Sequence, residues 1–122
     1  FYDGGRIRGI PVQIGGTSYV PPLPIETVVI ERIDEIRSQD KEPIEIAIEL
    51  CMYCMKTQVF KDGNKRASVI FANHYLIAQG MGFLVIPEND FPEFKKLLVQ
   101  YYEGEPLEVI GAFLKERCWK NF

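Results

Sequence analysis

The sequence predicts an all-α domain with a short β-hairpin near its N terminus. Apolar residues recur with a helical period from Pro24 onward. Before that point, residues 1–24 hold five of the ten glycines and four of the eight prolines. The 122 residues fit one domain. We expect that single domain to span 1–122, with the hairpin at about 10–20 and the helical core at about 24–120. The start at Phe1 indicates a piece of a longer chain.

The hairpin is predicted from the stretch "IPVQIGGTSYVPP". One arm alternates apolar and polar residues, a glycine pair makes the turn, and a second arm runs into a proline pair that stops the ladder. The residues in that order are Ile10, Val12 and Ile14, then Gly15 and Gly16, then Thr17 to Val20, and finally Pro21 and Pro22. An isolated two-stranded ribbon is marginally stable in water, so the hairpin must lie on a partner surface.

Five helices are predicted after the hairpin. The first ends near Ser38 and is marked by Val28, Ile30, Ile33 and Ile36. The second, "PIEIAIELCMYCMKT", starts at Pro43 and is apolar on nearly every side, so we expect it to be buried. Its narrow polar edge consists of Glu45, Glu49 and Lys56, and the two glutamates are expected to form a solvated stripe.

The third helix is predicted from Asn64 to a glycine stop at Gly80. The next segment, "FLVIP", reads as an extended connector. The fourth helix is expected to start at a capping box formed by Asp90 and Glu93 and to end at Tyr102. A last helix covers "EPLEVIGAFLKERCW", with Pro106 in its first turn.

Composition and charge exclude several function classes. A net charge of -3 argues against a general nucleic-acid or membrane-surface binder. No apolar run is long enough to cross a membrane. Three cysteines, an odd number, suit a reducing compartment. Cys51-x-x-Cys54 lies in the middle of a helix and on its apolar side, so buried thiols are favoured over a zinc or redox site.

The densest polar cluster, "QVFKDGNKRAS" at 58–68, lies between the two most buried helices. The backbone N–H groups of Gly63, Asn64 and Lys65 would converge at the start of the third helix. Lys65 and Arg66 add positive charge, so the residues predict an anion site suited to phosphates. Asp62 is a natural ligand for the Mg²⁺ that accompanies a nucleotide. The alternative is a plain turn with a capped helix and two solvated cations.

Two motifs resemble those of the Fic/Doc family. "VFKDGNKR" is similar to the central Fic motif, His-Pro-Phe-x-Asp/Glu-Gly-Asn-Gly/Lys-Arg, which joins two core helices. "VQIGGTSYVPP" resembles the β-hairpin flap that binds targets in this family. The resemblance implies an enzyme that transfers AMP, or another phosphate-containing group, from a nucleotide to a protein hydroxyl.

The resemblance also implies roles for individual residues, with ATP and Mg²⁺ as cofactors. Asp62 would hold Mg²⁺, and Arg66 would pair with the β-phosphate. The phosphate-binding N–H groups would come from Gly63, Asn64 and Lys65, and Phe60 would be a buried anchor. The flap residues would be Val12, Ile14, Thr17 and Tyr19. The flap would hold the target segment as an added strand.

The sequence departs from the family pattern at the position of the general base. Gln58 stands where the family has histidine, and a glutamine amide cannot accept a proton near neutral pH. Val59 replaces the proline, and Val69 stands where AMP-transferring members have a second arginine. We therefore expect a phosphate site that is kept and chemistry that is weakened. Whether Gln58 is natural or introduced stays open.

Two other functions remain open at this point. One is a Doc-like kinase that transfers the γ-phosphate, and the other is a non-catalytic module that holds a peptide strand with its flap. His74 is too far along the third helix to replace the base. "VQYYEG" at 99–104 lacks the leading Ser or Thr of the family's inhibitory motif. An inhibitory helix would thus come from another segment or from an antitoxin. A homodimer is possible, and the expected setting is a bacterial cytoplasm.

Overall fold

The described part of the chain is built almost entirely of helices. A computed structural model describes residues 19–21, 23–59 and 64–120. Its helices are α1 (Glu26–Arg37), α2 (Pro43–Thr57), α3 (Asn64–Ala78), α4 (Phe91–Tyr102) and α5 (Leu107–Phe113). The all-α prediction is confirmed. Most of the predicted hairpin, 10–18, lies outside the described residues.

The C-terminal half contains two short strands that pair with each other. β1 (Phe83–Leu84) and β2 (Trp119–Lys120) pair antiparallel, with Leu84 opposite Trp119. A 3₁₀ turn (Glu88–Asp90) precedes α4, and a π-helical segment (Leu114–Cys118) follows α5. In the described ranges, no helix is long and apolar enough to cross a bilayer.

The core is organised around α2, as its apolar sequence predicted. One face of α2 packs with α3, α4 and α5, through residues such as Met52 and Phe94. The other face packs against α1, whose Val29, Ile33 and Ile36 form one apolar cluster with Leu50 and its neighbours on α2. Because α2 is covered on both sides, its two ends are fixed by the surrounding helices.

The predicted apolar face of α1 is partly wrong. Val28 and Ile30 are 54% and 41% exposed, whereas Val29 is 2% exposed. The buried stripe is Val29, Ile33 and Ile36, whose spacing of four and then three residues keeps them on the side that faces α2.

The predicted start of α4 and the predicted last helix also need correction. Asp90 precedes α4, but its side chain makes no capping bond and instead accepts a hydrogen bond from Arg117 at 2.9 Å. The last helix is shorter than predicted, because the chain leaves it through the π-helical segment and pairs as β2. Pro106 precedes that helix instead of lying inside its first turn.

The polar edge of α2 is not simply solvated. Glu49 is half-buried and pairs with Arg32 at 3.5 Å and with Lys41 at 3.4 Å. Gln39 also donates a hydrogen bond to it at 3.0 Å. Glu45 is exposed, as predicted.

Candidate functional site

The junction between α2 and α3 begins with a Schellman motif in which glutamine takes the usual glycine position. The Val59 N–H donates to the Cys54 carbonyl and the Gln58 N–H to the Met55 carbonyl, both at 3.3 Å. Gln58 has φ 49° and ψ 51°, and no other non-glycine residue in the described ranges has a positive φ. This left-handed conformation costs a residue with a side chain roughly 1–2 kcal/mol. The backbone alone would therefore favour glycine at position 58.

The side chain of Gln58 is held by the end of α2 and by α4. Its Nε2 donates to the Met55 carbonyl at 2.7 Å, and the Tyr102 hydroxyl donates to the same carbonyl at 3.4 Å. Burial raises the pKa of Tyr102, nearby Cys51 raises it further, and a hydrogen bond from the Gln58 side chain lowers it. Tyr102 is thus protonated at neutral pH and cannot act as a general base there.

The start of α3 has the geometry expected of an anion-binding helix end. Asn64 is the first helical residue, so the N–H groups of the first turn have no partner within the helix. The helix dipole makes this end positive. Lys65 and Arg66 are exposed and make no ion pair with the described residues. What these residues bind stays a prediction. Phe60, Asp62 and Gly63 lie outside the described residues.

The fold places position 58 and the start of α3 at the same end of the molecule. α2 and α3 share the most extensive helix–helix contact among the described elements. Since only five residues separate Gln58 from Asn64 in the sequence, the two helix ends are neighbours. A group bound at one can therefore be reached from the other.

A cluster of three tyrosines and one lysine lies beside Gln58. The Lys56 ammonium lies 5.6 Å from the ring centre of Tyr19 and 4.9 Å from that of Tyr101. Tyr19 also stacks on Tyr102, with ring centres 6.0 Å apart and planes at 25°. Tyr19 is the last residue assigned to the predicted flap, and the other flap residues, Val12, Ile14 and Thr17, lie outside the described residues. We call Lys56, Tyr19 and Tyr101 the cation–tyrosine box.

Sequence reasoning missed this box. The sequence places Lys56 only on the polar edge of the second helix, and it places Tyr101 and Tyr102 only in a segment that lacks the inhibitory motif. No local spacing links the end of α4 to the end of α2, so their proximity appears only in the tertiary structure. The adjacent tyrosines were the available signal, because a pair of neighbouring aromatic residues exposes at least one ring beside the core.

The other candidate groups lie apart from the junction. His74 is exposed on α3, about 15 Å along the helix from its start at 1.5 Å per residue. Cys51 and Cys54 are fully buried, as predicted, and burial raises the pKa of Cys54 to about 12. The described ranges contain no group of three side chains suited to hold a metal ion.

A groove of about 440 Å³ lies at the opposite end of α2, between α2 and α5. Ile48, Leu107 and Ala112 line it, with Glu45 and Lys115 at 4.0 Å from each other on its rim. It is separated from Gln58 by most of the length of α2, so it belongs to a different part of the molecule.

Comparison with known proteins supports the resemblance seen in the motifs. A model of the Fic/DOC family matches residues 1–76, which is more than half of the chain and includes both the predicted flap and the junction. No curated protein is similar enough to the chain to count as a match.

Proposed function

The chain belongs to the Fic/DOC family, and on this basis we propose that it binds ATP with Mg²⁺ at the start of α3 and transfers AMP slowly to a target-protein hydroxyl. Family members generally carry out AMP transfer or a related transfer from a nucleotide, with a metal ion. The proposal adds the nucleotide, the transferred group and a reduced rate.

One observation carries the proposal. An exposed, positively charged helix start directly follows a junction at which a side chain occupies a glycine position. Asn64, Lys65 and Arg66 would bind phosphates through backbone N–H groups and two cations. A surface helix start without function would not need a strained side chain at the preceding helix end.

Gln58 accounts for the expected slow rate. A general base contributes about 10²–10⁴-fold to proton-transfer steps, and an amide cannot take the proton of the attacking hydroxyl. The Gln58 amide nitrogen is already directed to the Met55 carbonyl. Gln58 would therefore orient the hydroxyl at best, while the phosphate-binding residues position the nucleotide.

The residues at the junction fit a magnesium nucleotide. Lys65 and Arg66 are accessible and uncompensated among the described residues, which suits a polyphosphate. Asp62 would hold the Mg²⁺ ion. When bound, that ion would supply positive charge that offsets the charge of the phosphates.

The test is ATP–Mg²⁺ binding measured by calorimetry, together with transfer measured with labelled ATP. We expect the chain to bind ATP, and we expect Arg66→Gln to weaken binding by roughly 10- to 150-fold, since a charge-assisted hydrogen bond is worth about 1.5–3 kcal/mol. Lys96→Gln removes an equal charge from an exposed site on α4 and should leave binding unchanged. Gln58→His should raise transfer of the α-label by about 10²–10⁴-fold.

Three outcomes would contradict the proposal. Transfer of the γ-label without the α-label would show a Doc-like kinase. Absence of ATP binding in both the chain and Gln58→His would favour the non-catalytic interaction module. A gain with Gln58→Ala equal to that with Gln58→His would show that the gain does not come from a base.

A further inference from the structure

We propose that Lys56, held in the cation–tyrosine box, recognises a carboxylate of the target, so that preferred targets carry an acidic residue close to the modified hydroxyl. The inference rests on the proposed function, because it names the target class of the same site.

The box lies where the neighbours of a target hydroxyl would pass. Lys56 is on the last turn of α2, two residues before Gln58, which is about 3 Å along the helix axis. Tyr19 is the last residue assigned to the predicted flap. Successive residues of an extended strand are about 3.3 Å apart, so a carboxylate within a few residues of the hydroxyl would reach Lys56.

The charge of Lys56 is uncompensated, which distinguishes it from the other half-buried charges. Among the described residues, Glu49 pairs with Arg32 and Lys41, and Asp90 pairs with Arg117. Lys56 has no carboxylate within ion-pair distance in the same ranges. Aromatic faces attract an ammonium but do not neutralise it, so, counted over the described residues, the box carries a positive charge.

The two rings also hold the ammonium in place. The Lys56 side chain is only partly exposed, and its ammonium lies over the rings of both Tyr19 and Tyr101. A lysine that is already ordered loses less side-chain freedom when it binds an anion. The box is therefore better suited to recognition than a mobile surface lysine such as Lys96.

A purely structural role makes a different prediction. If Lys56 only clips Tyr19 to the helices, its removal would weaken all peptides equally. A role in nucleotide binding would also differ, because the start of α3 carries its own two cations and Lys56 lies on α2. Only carboxylate recognition makes the effect of Lys56 depend on the charge of the peptide.

The experiment compares fluorescent peptides that have a central threonine and either aspartate or asparagine at each flanking position. Binding to the ATP-loaded chain is measured by anisotropy. We expect aspartate peptides to bind about fivefold tighter at one or two positions, consistent with a partly exposed ion pair. The preference should vanish in Lys56→Gln, reverse in Lys56→Glu and persist in Lys56→Arg.

The inference is overturned if the chain binds both peptide sets equally, or if the preference survives in Lys56→Gln. It is also overturned if Lys56→Gln weakens ATP binding and leaves the peptide preference intact. Thermal melting checks that each variant is folded, and Lys56→Arg tests the charge if Lys56→Gln is not. Failure of the proposed function would be seen separately, as absence of ATP binding by the unaltered chain.

Discussion

The ends of α2 and α3 share one backbone motif but fill its left-handed position differently. At the end of α3, Met81 N–H donates to the Leu76 carbonyl at 3.2 Å and Gly80 N–H to the Ile77 carbonyl at 2.9 Å, with Gly80 at φ 72°. The end of α2 repeats these bonds around Gln58. Glycine is the unstrained choice for this position. A side chain at the end of α2 therefore indicates that its contacts matter.

The polar side chains around the two helix ends also differ in their contacts. Near the end of α3, polar groups serve the fold. Asn73 accepts a hydrogen bond from the Leu84 N–H at 2.6 Å and donates to the Leu84 carbonyl at 2.9 Å, which extends the β1–β2 ladder. At the end of α2, Lys56 has no carboxylate within ion-pair distance among the described residues. The contacts at the end of α3 thus serve the fold, whereas the end of α2 carries a charge that no described residue pairs.

The largest expected effect is at the structural end. Asn73→Ala would leave both backbone groups of the buried Leu84 without their partner. We expect a loss of about 3 kcal/mol in the free energy of unfolding, since each unsatisfied buried group costs about 1–3 kcal/mol. Urea unfolding measures this, with Asn89→Ala on the exposed 3₁₀ turn as the control. An unchanged affinity for ATP would confirm that this end is structural, and a lost affinity in a folded variant would break the comparison.

An alkaline pH should lower the stability of the protein through the buried thiol of Cys54, which lies near the end of α2. The Cys54 carbonyl accepts the Val59 N–H, and burial raises the pKa of its thiol from 9.0 to about 12. The unfolded chain therefore loses this proton first. Its contribution to stability is complete below pH 9 and is lost as the pH rises toward 12. At pH 10 the loss in the free energy of unfolding is on the order of 1 kcal/mol.

Urea unfolding at pH 7.5 and pH 10 tests this prediction. Cys54→Ala is less stable at both values, because it leaves a small cavity. Between the two pH values, however, the free energy of unfolding of Cys54→Ala should fall by less than that of the unaltered chain. An equal loss in both would show that other groups, such as Tyr102, account for the pH dependence.

The smallest effect compares the two left-handed positions directly. In Gly80→Ala the new Cβ meets nothing within 4 Å, so only the strain at φ 72° remains, and we expect a loss of about 1 kcal/mol. In Gln58→Gly the relieved strain offsets the lost hydrogen bond, and the free energy of unfolding should change by less than about 1 kcal/mol. Thermal melting with calorimetric enthalpies measures both. A large loss in Gln58→Gly would mean that the glutamine is mainly structural.

Local sequence patterns were sufficient to predict most of the helices. The proline at the start of α2, the glycine after α3 and the apolar run of α2 act within one or two turns, so the sequence specifies them directly. The motif at 58–66 predicted a positive helix start, and Asn64 is where α3 begins. The buried thiols followed from their place on the apolar side of α2.

Predictions from local sequence pattern were wrong where a side chain pairs with a residue that is distant in the chain. Asp90 satisfied the capping pattern, but Arg117 binds its carboxylate. Glu49 read as solvated, but Arg32 and Lys41 surround it. In both cases the competing group lies on another element, and its position depends on how the helices pack.

The sequence by itself determined the helical fold class, the family and the polar junction between α2 and α3, because these depend on periodicity and on short motifs. The tertiary structure decided which side chains surround position 58. Lys56, Tyr19 and Tyr101 come from three separate segments, and only the packing of α4 and residue 19 on the end of α2 brings them together. Contacts of this kind carry no signal in local spacing, since they form when apolar faces far apart in the chain are buried against each other.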